Sequence, residues 1–511
     1  MDAPAPANRF AAWVVLVGAL AIPCVYLPTL GTRFDFIDDG NLVYPAPPMP
    51  LGPRLQLVWE KVVANYDHLG PFRPTLWAHW ELAAELCGGD EFRWRLARLL
   101  WSGIATAAML ALLRELRVGA WPALAAAALA MWNPYRNEIW TSLTLSEGVA
   151  MPYALAGLWC AARAGRARTA WPWEVASAVC VLVALGCKNT FAALVPAQLY
   201  LRVAANGPWN WAGVRRASWL ALTLALPVGH YVYFRTHWHP GQYPPTGITL
   251  AQIGRELSSL VGAMSIDFLG IGLGLTLIGI GTAYWSRECE REPSVRSLTL
   301  AAPKYVWIAG ALLALGGLAV YAPMAAMSGR YTMPGVWGLD LMFAALLMRL
   351  ASVPLVAWRR IAVAGVGCGL VAVAVANVGR QGKFAARADV LWQTLEIVER
   401  NAGPNDRVAW VSDSTLNVEE GIHFRWHLAA RGHGHDVDLV DAAGNPLERI
   451  EVPAAHDRAT WAVTGTSTPP PGKTWELRQR LERRYWGGRR QYDCYVWGIS
   501  ELVVREASEK R

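Results

Sequence analysis

The sequence is short of charge. Only 17% of its 511 residues are Asp, Glu, Lys or Arg, where a soluble chain carries ~25%. That deficit excludes a protein whose whole surface meets water. The chain also lacks a phosphate-cradling glycine motif, an internal repeat, and any CxxC or Cys/His spacing of the kind that binds zinc. Its eight cysteines lie mostly in or beside apolar runs. The one disulfide conceivable on an oxidising side is Cys87–Cys494. The histidines His423, His427, His433 and His435 come with no cysteine and no ordered acid spacing, so they read as a solvated histidine-rich surface rather than a metal site.

What the chain has in excess is hydrophobic residues, 54% of the total, and its mean hydropathy is +0.23. Apolar runs of membrane-spanning length recur from the N-terminus to residue 378. They predict a polytopic α-helical membrane protein with about eleven transmembrane helices. The spans fall near 10–30, 94–113, 119–134, 148–162, 172–187, 190–204, 217–234, 265–285, 305–324, 333–350 and 361–378. The 27 Trp suit many membrane–water interfaces. Span 1 is expected to stay in the protein rather than be cleaved as a signal peptide, because its apolar run continues past the Ala19-Leu20-Ala21 site.

The net charge of +8 is no sign of nucleic acid, because the basic residues collect in alternate short loops. Arg114 and Arg117, Arg163 to Arg168, Arg215 and Arg216, Arg287 to Lys304, and Arg349 to Arg360 all fall on one side. By the positive-inside rule that side is cytoplasmic. The expected location is the plasma (inner) membrane, multi-pass, with a cytoplasmic N-terminus. Residues 31–92 and everything after 378 are then extracytoplasmic.

Two domains are expected, a transmembrane domain over 1–378 and a small extracytoplasmic α/β domain over 379–511. The first contains the outer loop 31–92, where helical patterns at 54–65 and 74–87 suit helices lying on the membrane surface. The second has β-like runs at Arg407–Val411, Val437–Val440, Trp461–Val463 and Tyr495–Trp497, with helical patterns at 384–400, 418–431 and 473–484.

The strong polar candidates sit at outer ends of spans. RFDFIDDGN places Asp35, Asp38 and Asp39 within five residues. Acids that close repel one another, so they require a cation or a raised pKa. Arg73 sits in GPFRPTLW, Asn133, Arg136 and Glu138 in WNPYRNEIW, Lys188 and Asn189 in GCKNTF, and Arg330 and Tyr331 in MSGRYTMP. Carboxylates suit general-base work on an acceptor hydroxyl, and Arg and Lys suit a phosphate. A single Arg or Lys at a span end commonly reaches a lipid headgroup instead, and an Asp-Asp pair commonly caps a turn. What favours chemistry is that all of them share the side that is otherwise poor in positive charge. Asp340, inside a span, reads as structural, hydrogen-bonded or paired within the bundle.

In this order, DD after span 1, FRPTLW, NPYRNEIWTSL, KNTFAALVP and GRY resemble the GT-C fold of polyprenyl-phosphate-dependent glycosyltransferases. The pattern is most similar to the protein O-mannosyltransferase and tetratricopeptide-linked transmembrane mannosyltransferase branches, and it covers residues 10–350. The resemblance implies that Asp38 is the base, with Asp39 beside it. It implies that Arg73, Lys188 and Arg330 hold the donor phosphate, with Glu138 and Tyr331 as further substrate contacts, and Arg136, on the same turn as Glu138, is a further candidate contact from the residues alone. Asn133, Asn189 and Gly329 stand where the family usually has His, Glu and Glu. The implied reaction moves a sugar, with inversion, from a polyprenyl-phosphate donor to an acceptor hydroxyl on a protein, glycan or lipid, and needs no metal or other cofactor. A transporter or flippase of lipid-linked saccharide would use the same cations, and an assembly or scaffold subunit would bind through its C-terminal domain. A transporter should also show a polar path through the membrane, and intramembrane charges here are nearly absent apart from Asp340.

Overall fold

The computed structural model describes residues 10–37, 39, 49–134, 136–204, 211–237, 249–251, 253–254, 258, 293–321, 333–351, 356–403, 406–413, 416–432, 436–443, 447, 459–471, 473–485 and 489–499. The expected span at 265–285, the His433–His435 run, Asp38, Arg330 and Tyr331 lie outside them. The chain forms two compact units. The first gathers Met1–Leu27, Pro47–Leu86 and Leu96–Val378, and the second gathers Pro28–Ala46, Cys87–Arg95 and Gly379–Arg511.

The first unit is helical. Helix α1 (Ala12–Ala21) continues as a 3-10 helix, Ile22–Gly31, where Pro23 and Pro28 withhold backbone donors. Then come α2 (Leu51–Leu69), α3 (Pro74–Cys87), α4 (Glu91–Glu115), α5 (Ala120–Trp132), the short α6 (Glu138–Thr141), α7 (Ser146–Ala164) and α8 (Trp171–Cys187). After a 3-10 turn at Asn189–Ala193 follow α9 (Leu194–Ala204), α10 (Trp211–Ala217), α11 (Ala225–Thr236), α12 (Pro293–Tyr321) and α13 (Gly335–Ala351). Every apolar span expected within the described residues falls on a helical stretch. Four helical stretches among them are long and apolar enough to cross a membrane, Ala12–Gly31, Glu91–Glu115, Lys304–Tyr321 and Val363–Asn401.

Helices without a hydrophobic drive between them associate through close backbone contact. At the α12–α13 contact a Cβ on Gly338 would come within 2.2 Å of the Gly310 carbonyl oxygen, and one on Gly317 within 2.5 Å of the Gly335 Cα. Only hydrogen fits at these crossings.

Helix α14 (Val356–Asn401) is a single helix with no break between 378 and 384. Arg380 and Lys383 end the apolar run there, but a change of polarity does not end a helix. Its last part belongs to the second unit, which continues with β1 (Arg407–Ser412), α15 (Val418–Ala430), β2 (Asp436–Asp441), β3 (Trp461–Thr464), β4 (Trp475–Tyr485) and β5 (Arg489–Ile499). These strands form one mixed sheet in the order β2-β1-β3-β5-β4. Strands β1 and β2 pair in parallel, as the α15 crossover requires, and β4 and β5 pair antiparallel. Helix α15 starts on a capping box, with Asn417 Oδ1 accepting from Glu420 N at 2.9 Å and Glu420 Oε2 from Asn417 N at 2.9 Å.

The expected helix at 473–484 is instead strand β4. Its spaced charges imitate a helix face, but pairing with β5 from Trp475 opposite Ile499 to Tyr485 opposite Arg489 decides the conformation. The histidine surface also needs correction. His423 and His427 are buried, because their spacing of four places both on the face of α15 that carries Phe424 and Leu428. Cys87 and Cys494 are free, buried thiols, so no disulfide joins them. Burial pushes the Cys494 thiol up to about 12.

Candidate functional site

In the second unit, the acid loop is held from several directions. Asp39 is fully buried, and its Oδ2 accepts from Arg95 Nη2 at 3.1 Å. The same Arg95 donates to the carbonyls of Thr32 at 3.3 Å and Arg33 at 2.8 Å, so one guanidinium both neutralises the acid and satisfies the chain before it. Asp35 is 1% exposed and takes a bidentate pair from Arg387 on α14, with Nε to Oδ1 at 3.0 Å. Phe34 N donates to Glu91 Oε1 at 3.0 Å, and Trp392 Nε1 donates to the Phe34 carbonyl at 2.9 Å.

Phe36 is the loop's apolar anchor. Its ring meets Trp392 edge-on at 5.1 Å and lies 4.7 Å from the His427 ring, while His423 Nδ1 bonds its carbonyl. A carbonyl only accepts, so that Nδ1 carries the proton. Burial lowers the His423 pKa, against the opposing pull of the Phe36 carbonyl and Asp35. Burial, helped by His423 and Arg431, pushes His427 down to about 3. Both rings are therefore neutral at pH 7, and an uncharged ring is what an aromatic anchor site can accommodate.

In the first unit, basic residues gather around two turns. Lys188 breaks the helical path between α8 and the 3-10 turn, with φ −160° and ψ 125°. Its ammonium pairs with Glu147 Oε1 and lies 5.9 Å from the centre of the Tyr321 ring. Glu147 is 1% exposed, sits in the first turn of α7 where the helix dipole favours an anion, and accepts from Ser146 Oγ at 3.1 Å. Arg98 holds the loop before α7 by donating to the Ser142 carbonyl at 2.9 Å and the Leu145 carbonyl at 3.3 Å. A Cβ at Gly148 would strike the Ile139 carbonyl oxygen and Arg98 Nη2, each at 2.5 Å, and the backbone clash makes this approach need glycine.

Arg136, on the turn between α5 and α6, makes a fork with Asp340 of α13. Nη1 meets Oδ2 at 2.5 Å and Nη2 meets Oδ1 at 3.1 Å, and each residue is 1% exposed. Asn133 caps α5 on this turn, and Glu138 is half-buried at the start of α6. Arg73 differs from these. It is half-buried, its carbonyl accepts from Trp77 N at 3.2 Å, and among the described residues no carboxylate pairs with it. Its helix, α3, meets the end of α8 closely, since a Cβ on Gly186 would come within 2.2 Å of Thr75 Oγ1. The guanidinium is within electrostatic reach of both Cys187 and His230.

Of the residues singled out from sequence, Arg73 and Lys188 thus stand on abutting helix ends, and Asp39 is locked to an arginine. Arg136 is joined to Asp340, the structural role expected of that acid. Asp38, Arg330 and Tyr331 lie outside the described residues. Sequence reasoning missed Glu147, Arg95 and Arg387. Glu147 had a usable signal, an acid at the threshold of an apolar span. Arg95 and Arg387 had none, because they look like ordinary helix-surface arginines until the loop is placed against them.

No protein-family model matches the sequence, and no curated protein matches it in sequence. Among solved structures the chain resembles ArnT from Cupriavidus metallidurans, crystallised bound to undecaprenyl phosphate. The TM-score is 0.50, over 96% of this chain and 99% of that one, at 13% sequence identity. At that identity the likeness is one of fold.

Proposed function

We propose that the protein is an integral membrane glycosyltransferase of the GT-C type. It moves a sugar from a polyprenyl-phosphate donor to an acceptor hydroxyl on the extracytoplasmic face. The observation that carries this reading is Arg73, half-buried beside the Lys188 turn and with no carboxylate partner among the described residues. A partly desolvated cation with no carboxylate partner among the described residues favours an external anion. The fold shared with a protein that binds undecaprenyl phosphate gives that anion a chemical class.

In this reading Arg73 takes the donor phosphate bidentately and Lys188, held by Glu147, meets it as a point charge, with Arg330 and Tyr331 completing the contact. Charge builds on the phosphate oxygen as the bond to the sugar breaks, and these cations stabilise it. Asp38 takes the proton of the acceptor hydroxyl while that oxygen attacks the anomeric carbon, and the single displacement inverts the sugar. Asp35 and Asp39 are already engaged by Arg387 and Arg95, which supports Asp38 as the base and makes its neighbours the holders of the loop. In this reading Glu138 contacts sugar hydroxyls, and Arg136, fixed on Asp340, supports the turn that carries it. The lipid chain lies between about eleven spans, with the N-terminus cytoplasmic.

The test is sugar transfer by purified protein from radiolabelled polyprenyl-phosphate sugars, comparing wild type with Asp38→Asn and Lys188→Ala. Both variants should lose at least ~100-fold in rate, the scale of a lost general base or charge stabiliser. Transfer unchanged in Asp38→Asn removes the base assignment. Donor crossing the bilayer without transfer would favour a flippase.

A further inference from the structure

The loop that carries Arg73 has little structure of its own. Gly70 ends α2 in the left-handed region at φ +90°, its N–H donating to the Tyr66 carbonyl at 2.8 Å, and Pro71 and Phe72 lead directly to Arg73. The loop's polar tie comes from α11. His230 Nε2 lies 2.8 Å from the Gly70 carbonyl oxygen, and its Nδ1 lies 2.8 Å from Asn189 Nδ2, the residue after Lys188. A carbonyl only accepts, so Nε2 carries the proton. An amide nitrogen only donates, so Nδ1 is the bare nitrogen. Both contacts therefore demand the same neutral tautomer. The Tyr66 ring meets the imidazole at 5.9 Å in a T-shaped arrangement and restrains its tilt.

We infer that His230 is a positioning residue for the anion site, bolting the loop of Arg73 to the turn of Lys188 and so setting the spacing at which the two cations grip one phosphate. The inference rests on the phosphate reading above. The chemistry of the ring supports a tie rather than filler. A ring that merely filled space would have no use for two hydrogen bonds to opposite sides, each ending on a segment that carries one cation. The second junction between these segments, Gly186 against Thr75, involves backbone and a hydroxyl and fixes the helix ends. Ahead of Pro74, Phe72 packs edge-on against Trp59 of α2, and the Gly70 carbonyl is left to His230.

The test uses the full-length protein in detergent with undecaprenyl phosphate as the probe and undecaprenol as its phosphate-free control. His230→Ala should weaken undecaprenyl phosphate binding by roughly tenfold, the scale of coupling within one hydrogen-bonded network. Asn189→Ala, which cuts the other half of the tie, should weaken it similarly. His230→Gln, whose amide N–H can reach the Gly70 carbonyl, should recover most of the affinity. In an Arg73→Ala background His230→Ala should add little, because the group it positions is gone. Affinity unchanged in His230→Ala and Asn189→Ala, or losses from His230→Ala and Arg73→Ala that simply multiply, would overturn the positioning role while leaving the phosphate reading intact. Wild-type protein that binds undecaprenol as well as undecaprenyl phosphate would overturn both.

Discussion

Asp35 and Asp39 in the second unit each meet an arginine and are almost wholly buried. Arg73 in the first unit is a half-buried cation with no carboxylate beside it among the described residues. Arg136 and Lys188 in the same unit follow the opposite habit, since Arg136 has Asp340 and Lys188 has Glu147. The contrast separates charges that the fold neutralises from one that it leaves for something else. A matched buried pair adds little net stability, but breaking it strands a charge in a low dielectric. An unmatched, partly solvated cation strands nothing when it is removed. The two kinds of residue should therefore answer mutation in opposite ways, one through stability and the other through binding.

The largest effect should come from the locked acids. Arg95→Leu leaves Asp39, at 0% exposure, without its cation. Breaking such a pair costs about 3–5 kcal/mol, to be read from equilibrium unfolding in detergent. Adding Asp39→Asn to Arg95→Leu removes the stranded charge and should restore a large part of the loss. A cost below about 1 kcal/mol for Arg95→Leu, the level of an exposed pair, would mean that the acid loop is not locked and would erase one side of the contrast.

A smaller effect should appear with pH around Phe36. His427 titrates near 3 in the fold, against 6.5 when solvated. Above 6.5 it is neutral in both states and contributes nothing to pH dependence. Between 6.5 and 3 the unfolded chain binds a proton that the folded one refuses, so stability falls as pH falls, by about 1.4 kcal/mol per pH unit for one such group. His427→Phe should remove its share of that slope in denaturation curves taken from pH 7 to 4, leaving the share of His423, whose pKa burial also lowers. A slope that survives the substitution unchanged would show that His427 is not the group responsible.

Why part of this was legible in the sequence and part was not follows from how far each signal travels. Apolar runs are local, so α1, α4, α5, α7 to α9 and α11 to α13 fall where the runs are. The parallel strands β1 to β3 were legible because short β-branched and aromatic runs stand between turn residues. The ladder of β4 was hidden, since WELRQRLERRY has helix-like charge spacing and only its partner strand fixes it. The clamps on the acid loop were hidden for the same reason at greater distance. Arg387 is 352 residues from Asp35, and Arg95 is 56 from Asp39, and no pattern in either neighbourhood announces the meeting. Charges clustered at outer span ends could be named as candidates, but which were neutralised within the fold depended on contacts that local sequence does not encode.

The smallest effect on stability is the most discriminating. Arg73→Ala removes a guanidinium that no described carboxylate shares, so among the described residues no acid is stranded and no buried acceptor loses its donor. Its backbone bond to Trp77 N survives the change. The unfolding free energy should move by no more than about 0.5 kcal/mol, as for a surface site free of such dependencies. Binding of a polyprenyl phosphate should nevertheless fall by at least ~10-fold, since a bidentate charge-assisted contact is worth roughly 1.5–3 kcal/mol. Arg73→Lys should recover only part of that, because a point charge replaces a planar fork. If Arg73→Ala instead destabilises the protein as Arg95→Leu does, Arg73 is a structural cation like its neighbours. The division between neutralised and available charge would then fail at the residue that defines it.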